Sequence, residues 1–223
     1  MSTENYPSKD VIYDFLDFLL LKKREKSYDS YISIKNAINN FSIPFPRITL
    51  KKGMKLFRGR VHNNNIEYYD KITDIGPQVD FNRITQFGRA NEPLQSVFYS
   101  ADNIYTAFFE TSKIARGKSD IDTETMTMGV WVLAEDLQLA HIISNKQVQG
   151  LNVTLDGLQN NFEDLIQKFQ NPKTELHLKV LDLFSLEFTR DAKEDPSNYM
   201  ISCAFANYLF TSISYDTFYK KNM

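Results

Sequence analysis

"GRANEPLQSVFYSADNIYTAFFE", residues 88–110, runs from a turn-like Gly-Arg-Ala-Asn into an apolar strand and then into a helix that closes on a carboxylate. The run "SVFYSA" has the apolar and aromatic content of a strand, and Ser100 or Asp102 can cap a helix predicted over about 102–115. In that helix Ile104, Ala107 and Phe108 share one face, and Tyr105 and Phe109 widen the apolar arc, which predicts a helix sandwiched between other elements. Glu110 then leaves a mostly buried helix. A carboxylate there must be neutralised, pair with an arginine or face a cavity, because an unpaired buried charge is costly. A helix-end ion pair is the structural alternative.

Upstream, "MKLFRGRV" reads as a strand whose alternation sets Arg58 and Arg60 on one face, opposite Phe57. Two guanidinium forks on one sheet face suit a diphosphate, although a solvated strand face has the same pattern. Residues 62–95 show no sustained period and contain Gly76 and Pro77, a connection far longer than the usual ~4–6 residues. Within it Arg89 and Asn91 follow Gly88, either as a second group of donors or as turn chemistry. Tyr99 ends its strand with a ring that can stack on a flat ligand or fill a core.

Working outward, strands are expected in "TMTMGVWVL" and "LQLAHII", and helices at about 155–169, 173–188 and 197–211. At the other end "SKDVIYDFLDFLLLKKREK" offers Ser8 as N-cap, and "YISIKNAINNF" puts Ile34, Ala37, Ile38 and Phe41 on one face. Pro44 and Pro46 end that pattern, so residues 1–48 read as a helical appendage ahead of a main domain at 49–223. Its apolar faces are expected to lie on this chain's own sheet, on another copy or on a partner. Strands mixed with helices, without regular βα alternation, indicate an α+β fold.

At 223 residues the chain can bury a sizeable core, and a formal net charge of −2 provides no field for nucleic acid or anionic lipid. The single cysteine, Cys203, excludes an internal disulfide and reads as a buried thiol in a reducing cytoplasm. The most apolar N-terminal run carries Asp14 and Asp17 and is too short to span a membrane, so a soluble intracellular protein is expected. No phosphate-binding glycine loop occurs, so a nucleotide ligand would have to be held by side chains; no G-x-S-x-G elbow is present, and His62, His141 and His177 are dispersed, so no metal site is expected.

In their order and spacing, Phe57-Arg58, Gly88-Arg89-Ala90-Asn91, Phe98-Tyr99 and Glu110 resemble the RES domain family, named for its Arg, Glu and Ser. The likeness covers roughly residues 54–215, including "GVWVLAEDLQLA" and "NYMISCAFANYLFTSISYD". It implies an ADP-ribosyltransferase-like mixed sheet core and a toxin that destroys NAD by cleaving its nicotinamide glycosidic bond, with phosphate or water as acceptor. NAD is then a substrate and not a cofactor. On this resemblance the catalytic residues are Arg58 on the diphosphate, Tyr99 against the nicotinamide riboside, and Glu110 stabilising the charge that develops on the ribose. Arg60, Arg89 and Asn91 contact the substrate, Arg89 as a second clamp. Family members pair with an Xre-type antitoxin, so such a partner, or a homo-oligomer, is expected.

The chain differs from the family at two places. Leu94 or Gln95 stands where a glycine is usual, and Lys220 and Lys221 occupy the place of the late serine, which none of Ser197, Ser202, Ser212 and Ser214 fits. The RES-like domain is therefore expected to be shortened at its C-terminal end or to have an incomplete site. Three functions follow from the resemblance: NAD cleavage, ADP-ribosyl transfer to a protein or small-molecule acceptor, and binding without catalysis.

Overall fold

The computed structural model describes residues 8–41, 43, 45–62, 69, 71–117, 122–142, 160, 164, 172–190 and 195–221. In chain order its elements are α1 (Lys9–Arg24), α2 (Tyr28–Asn40), β1 (Arg47–Leu50), β2 (Lys55–Val61), α3 (Ile72–Ile75), α4 (Ile104–Thr111), β3 (Met126–Val132), β4 (Leu137–Ala140), α5 (Pro172–Thr189) and α6 (Met200–Lys221), with short 3-10 turns at Phe81–Arg83 and Pro196–Tyr199. Strands pair as β1 with β4 and β2 with β3, so the fold is α+β. The helix expected at 155–169 lies outside the described residues apart from Asn160 and Asp164, both helical. No helix among the described residues is long and apolar enough to cross a membrane.

The chain divides into two compact units, one of Met1–Ile48, Thr85–Pro93 and Ala140–Met223, the other of Thr49–Ile84 and Leu94–Leu139. In the first, Ser8 caps α1 by accepting from the Val11 amide, and Ser27 caps α2 by accepting from that of Ser30. Each helix then repeats a buried apolar residue at three- and four-residue steps: Ile12, Phe15 and Leu19 in α1, and Tyr31, Ile34 and Ile38 in α2. These stripes join Val180, Leu181 and Phe184 of α5 and Met200, Ile201, Ala204 and Phe205 of α6 in one core. Phe184 stacks on Phe205 with ring centroids 3.9 Å apart.

The apolar faces of residues 1–48, expected on this chain's own sheet, on another copy or on a partner, are covered in α1 and α2 by the C-terminal helices. Periodicity reveals that a helix face is apolar but not which face covers it. Cys203 lies fully buried in this core beside the Tyr31 hydroxyl, 3.6 Å away, and burial pushes its thiol up to about 11. Lys23 and Glu187, both buried, form an ion pair between α1 and α5, and Arg190 reaches the other Glu187 oxygen at 3.0 Å.

The second unit centres on the antiparallel β2/β3 ribbon, in register from Lys55 opposite Val132 to Val61 opposite Met126. On the other edge of β2, Phe57 exchanges two backbone hydrogen bonds with Ala101, at 2.7 and 2.8 Å. The strand expected at "SVFYSA" is thus reduced to a single bridge. Alternation gives the ribbon two faces: Phe57, Gly59, Val61, Met126, Met128 and Val130 on one, Arg58, Arg60, Gly129 and Trp131 on the other.

α4 covers the first face. A Cβ on Gly59 would lie 2.9 Å from Met126 Sδ and 3.1 Å from Thr111 Oγ1, so only glycine admits this contact without displacement. α3 lies on the second face, where Ile75 Cδ1 fills the space opposite Gly129. The prediction of a sandwiched α4 is corrected: Ala107 alone is buried, and Ile104, Tyr105, Phe108 and Phe109 are exposed. The eight-residue helix meets β2 along one stripe, and among the described residues no second layer covers the rest of its apolar arc.

Candidate functional site

The residues singled out from the sequence fall into both units. Arg58, Arg60, Tyr99 and Glu110 belong to the β2/β3 unit, and Arg89 and Asn91 to the helical one.

Arg58 and Arg60 project from one face of β2, as alternation requires. Arg58 is half-buried; its guanidinium lies over the Phe98 ring, 5.0 Å from the centroid, and Nη1 donates to the Tyr99 carbonyl at 3.4 Å. Phe98 in turn meets Trp131 edge-on, with centroids 5.0 Å apart and planes at 74°. Burial lowers the Arg58 pKa, and the neighbouring Arg60 charge lowers it further. Arg60 donates to the Asp74 carbonyl and lies 5.8 Å over the Tyr69 ring. Among the described residues neither guanidinium is paired with a carboxylate side chain. Two adjacent cations, one half-buried and neither facing a carboxylate among the described residues, form an anion-accepting face.

Beside it opens a cleft of about 630 Å³ lined by Arg60, Tyr69, Asp74, Gln78, Asp80 and Arg83. The Arg83 Nε is 3.2 Å from Asp80, an exposed pair. His62, buried next to this region, shares a 2.8 Å hydrogen bond with the Thr127 hydroxyl and stacks on Tyr69.

Glu110 is exposed at the end of α4, and no side-chain hydrogen bond or ion pair reaches it among the described residues. Its expected burial is corrected by the exposure of α4, which packs on the ribbon face opposite Arg58 and Arg60. The structure therefore brings Arg58 to Tyr99 and sets Arg60 beside Arg58, but no described contact joins Glu110 to them.

The Gly88–Asn91 turn has a local structural use. The Gly88 amide donates to the Asn91 carbonyl at 2.8 Å, and a Cβ on Gly88 would meet Asn91 Oδ1 at 2.2 Å. Asn91 is buried, and Nδ2 donates to the Glu92 carbonyl at 3.3 Å. Arg89 lies 5.9 Å over the Tyr199 ring with its Nε buried. Of Leu94 and Gln95, one of which stands where the resemblance expects a glycine, Leu94 has φ of 66°, a conformation that glycine adopts without steric cost.

Of the late serines, Ser202 donates to the Tyr199 carbonyl and Ser212 to that of Tyr208, while Ser197 hydrogen-bonds to Asp195. The side chain of Ser214 lies outside those described. The sequence reading missed Phe98 and Trp131 as the aromatic support of Arg58; their one signal was aromatic content, and their meeting depends on both the β2/β3 pairing and the Phe57–Ala101 bridge. Compared with protein-family models, curated proteins and solved structures, the chain matches none.

Proposed function

We propose that this chain is a RES-like protein that binds NAD through Arg58 and Arg60 and cleaves its nicotinamide N-glycosidic bond, with phosphate or water as acceptor. The carrying observation is the pair of adjacent guanidiniums on one face of β2, without carboxylate partners among the described residues. A diphosphate matches both forks and supplies the missing counter-charge. An ADP-ribosyltransferase-like core, a toxin role and an Xre-type antitoxin belong to the same reading. Glu110 is its assigned charge stabiliser, acting on the oxocarbenium-like ribose.

A second reading, a RES-like module that binds without catalysis, is favoured by the placement of α4 on the face opposite the two arginines. One experiment separates the two. The full chain is incubated with NAD, with and without phosphate, and nicotinamide is quantified by chromatography. Cleavage predicts nicotinamide release that falls roughly 100-fold in Glu110→Gln. NAD binding by calorimetry with no release above a protein-free blank favours the binding module. Absence of both refutes the NAD reading, and ADP-ribose attached to an added acceptor identifies a transferase.

A further inference from the structure

Arg58 is held in a way that its sequence neighbours do not require. Its guanidinium carbon lies over the Phe98 ring, 5.0 Å from the centroid, Phe98 meets the ring of Trp131 edge-on, and Gly129, directly across the ribbon from Arg58, places no side chain beside it. The one described hydrogen bond of the guanidinium uses Nη1, toward the Tyr99 carbonyl. Arginine carries five N–H donors, so most of the fork remains for a ligand. The Trp131 indole N–H is buried without a hydrogen-bond partner among the described residues, so packing alone holds the ring that carries Phe98.

We propose that Phe98 and Trp131 are positioning residues for a phosphate-bearing ligand: Phe98 fixes the plane of the Arg58 fork, Trp131 fixes Phe98, and occupation of Arg58 is transmitted to the indole. The proposal rests on the reading that Arg58 receives the diphosphate, and it adds how the fork is oriented before the ligand arrives. A guanidinium already immobilised by a ring loses less rotamer freedom on binding than a free one. A lysine at residue 58 would offer a point charge with no plane to stack.

Trp131 is the only tryptophan in the chain, so its fluorescence reads this site alone. The full-length protein is titrated with inorganic pyrophosphate, ADP-ribose and NAD while Trp131 emission and near-ultraviolet absorbance are followed, the latter to correct for ligand absorption. A saturable emission change with pyrophosphate and ADP-ribose is expected, and its loss in Arg58→Ala. Phe98→Met keeps the volume but removes the ring, and should raise the half-saturating concentration roughly fivefold or more. Phe98→Tyr restores a ring and should return it to within about twofold of the parent. Calorimetric binding of pyrophosphate by Trp131→Phe, which keeps an edge-on ring, gives a readout independent of the indole.

Parent-like affinity in a folded Phe98→Met variant overturns the positioning role, as does the absence of any saturable response and of calorimetric binding in the parent. Were Phe98→Met not to fold, parent-like affinity in Phe98→Tyr would support the role and a fivefold loss there would overturn it. Binding of pyrophosphate and ADP-ribose without consumption of NAD leaves the positioning role standing and removes the NAD-cleaving reading.

Discussion

Thr111 Oγ1 occupies the place beside Gly59 that any larger residue would need, 3.1 Å from where a Cβ would stand. This contact sets α4 on one face of the β2/β3 ribbon. Alternation along β2 sends Arg58 and Arg60 to the other. The glycine that admits α4 and the two arginines thus lie on opposite faces of one seven-residue strand.

The two faces should respond in opposite ways to substitution. Gly59→Val drives two methyl groups into Met126 and Thr111 and is expected to cost about 1–3 kcal/mol, read as a lower urea midpoint. Arg58→Ala relieves like-charge repulsion with Arg60 and should leave the midpoint unchanged or raise it. A marked fall in the midpoint of Arg58→Ala would place Arg58 in the structural framework and not in a ligand site.

The buried Lys23–Glu187 pair gives a sharper contrast. Lys23→Ala strands the Glu187 carboxylate, which has no exposed surface, with Arg190 as its one remaining ion-pair partner among the described residues, and should cost about 3–5 kcal/mol. The double change Lys23→Met with Glu187→Leu removes both charges at similar volume and should recover most of that loss. Denaturant unfolding of the two variants side by side checks this; equal stability would mean that hydration reaches the carboxylate.

Deleting residues 1–48 should leave a chain that aggregates. The deletion removes Ile12, Phe15, Leu19, Tyr31, Ile34 and Ile38 from the shared core. Each such side chain is worth roughly 1.5–3 kcal/mol when buried, and together they match the ~5–15 kcal/mol that holds a domain folded. A monodisperse, cooperatively unfolding fragment in sedimentation and calorimetry would instead mark residues 1–48 as an interface segment or a dispensable extension.

Acid stability should carry the signature of Asp195. Lys26, at 2.6 Å, and then Ser197 hold its carboxyl at about 2, below the ordinary carboxylate value of about 4. A depressed folded pKa contributes stability that is fully present above about pH 4 and is lost as pH falls toward 2. Asp195→Asn should therefore be less stable at neutral pH and show a shallower decline between pH 4 and 2 in urea unfolding. An unchanged slope in that window would show that Asp195 titrates as in the unfolded chain.

The features legible from the residues alone are local. Ser8 caps its helix three residues away, the apolar stripes of α1 and α2 repeat at helical spacing, and Arg58 and Arg60 share a face because a strand alternates. Each of these depends on neighbours within one or two turns. Contacts across the chain were decided by tertiary structure. Lys23 meets Glu187 across 164 positions, α1 and α2 find α5 and α6, and Trp131 reaches Phe98 where β3 pairs with β2 and the Phe98 segment bridges to β2 at Phe57–Ala101. The apolar arc of α4 read as buried because hydrophobicity states what a residue can cover; in the fold a short helix meets a narrow ribbon, and its aromatic residues remain exposed.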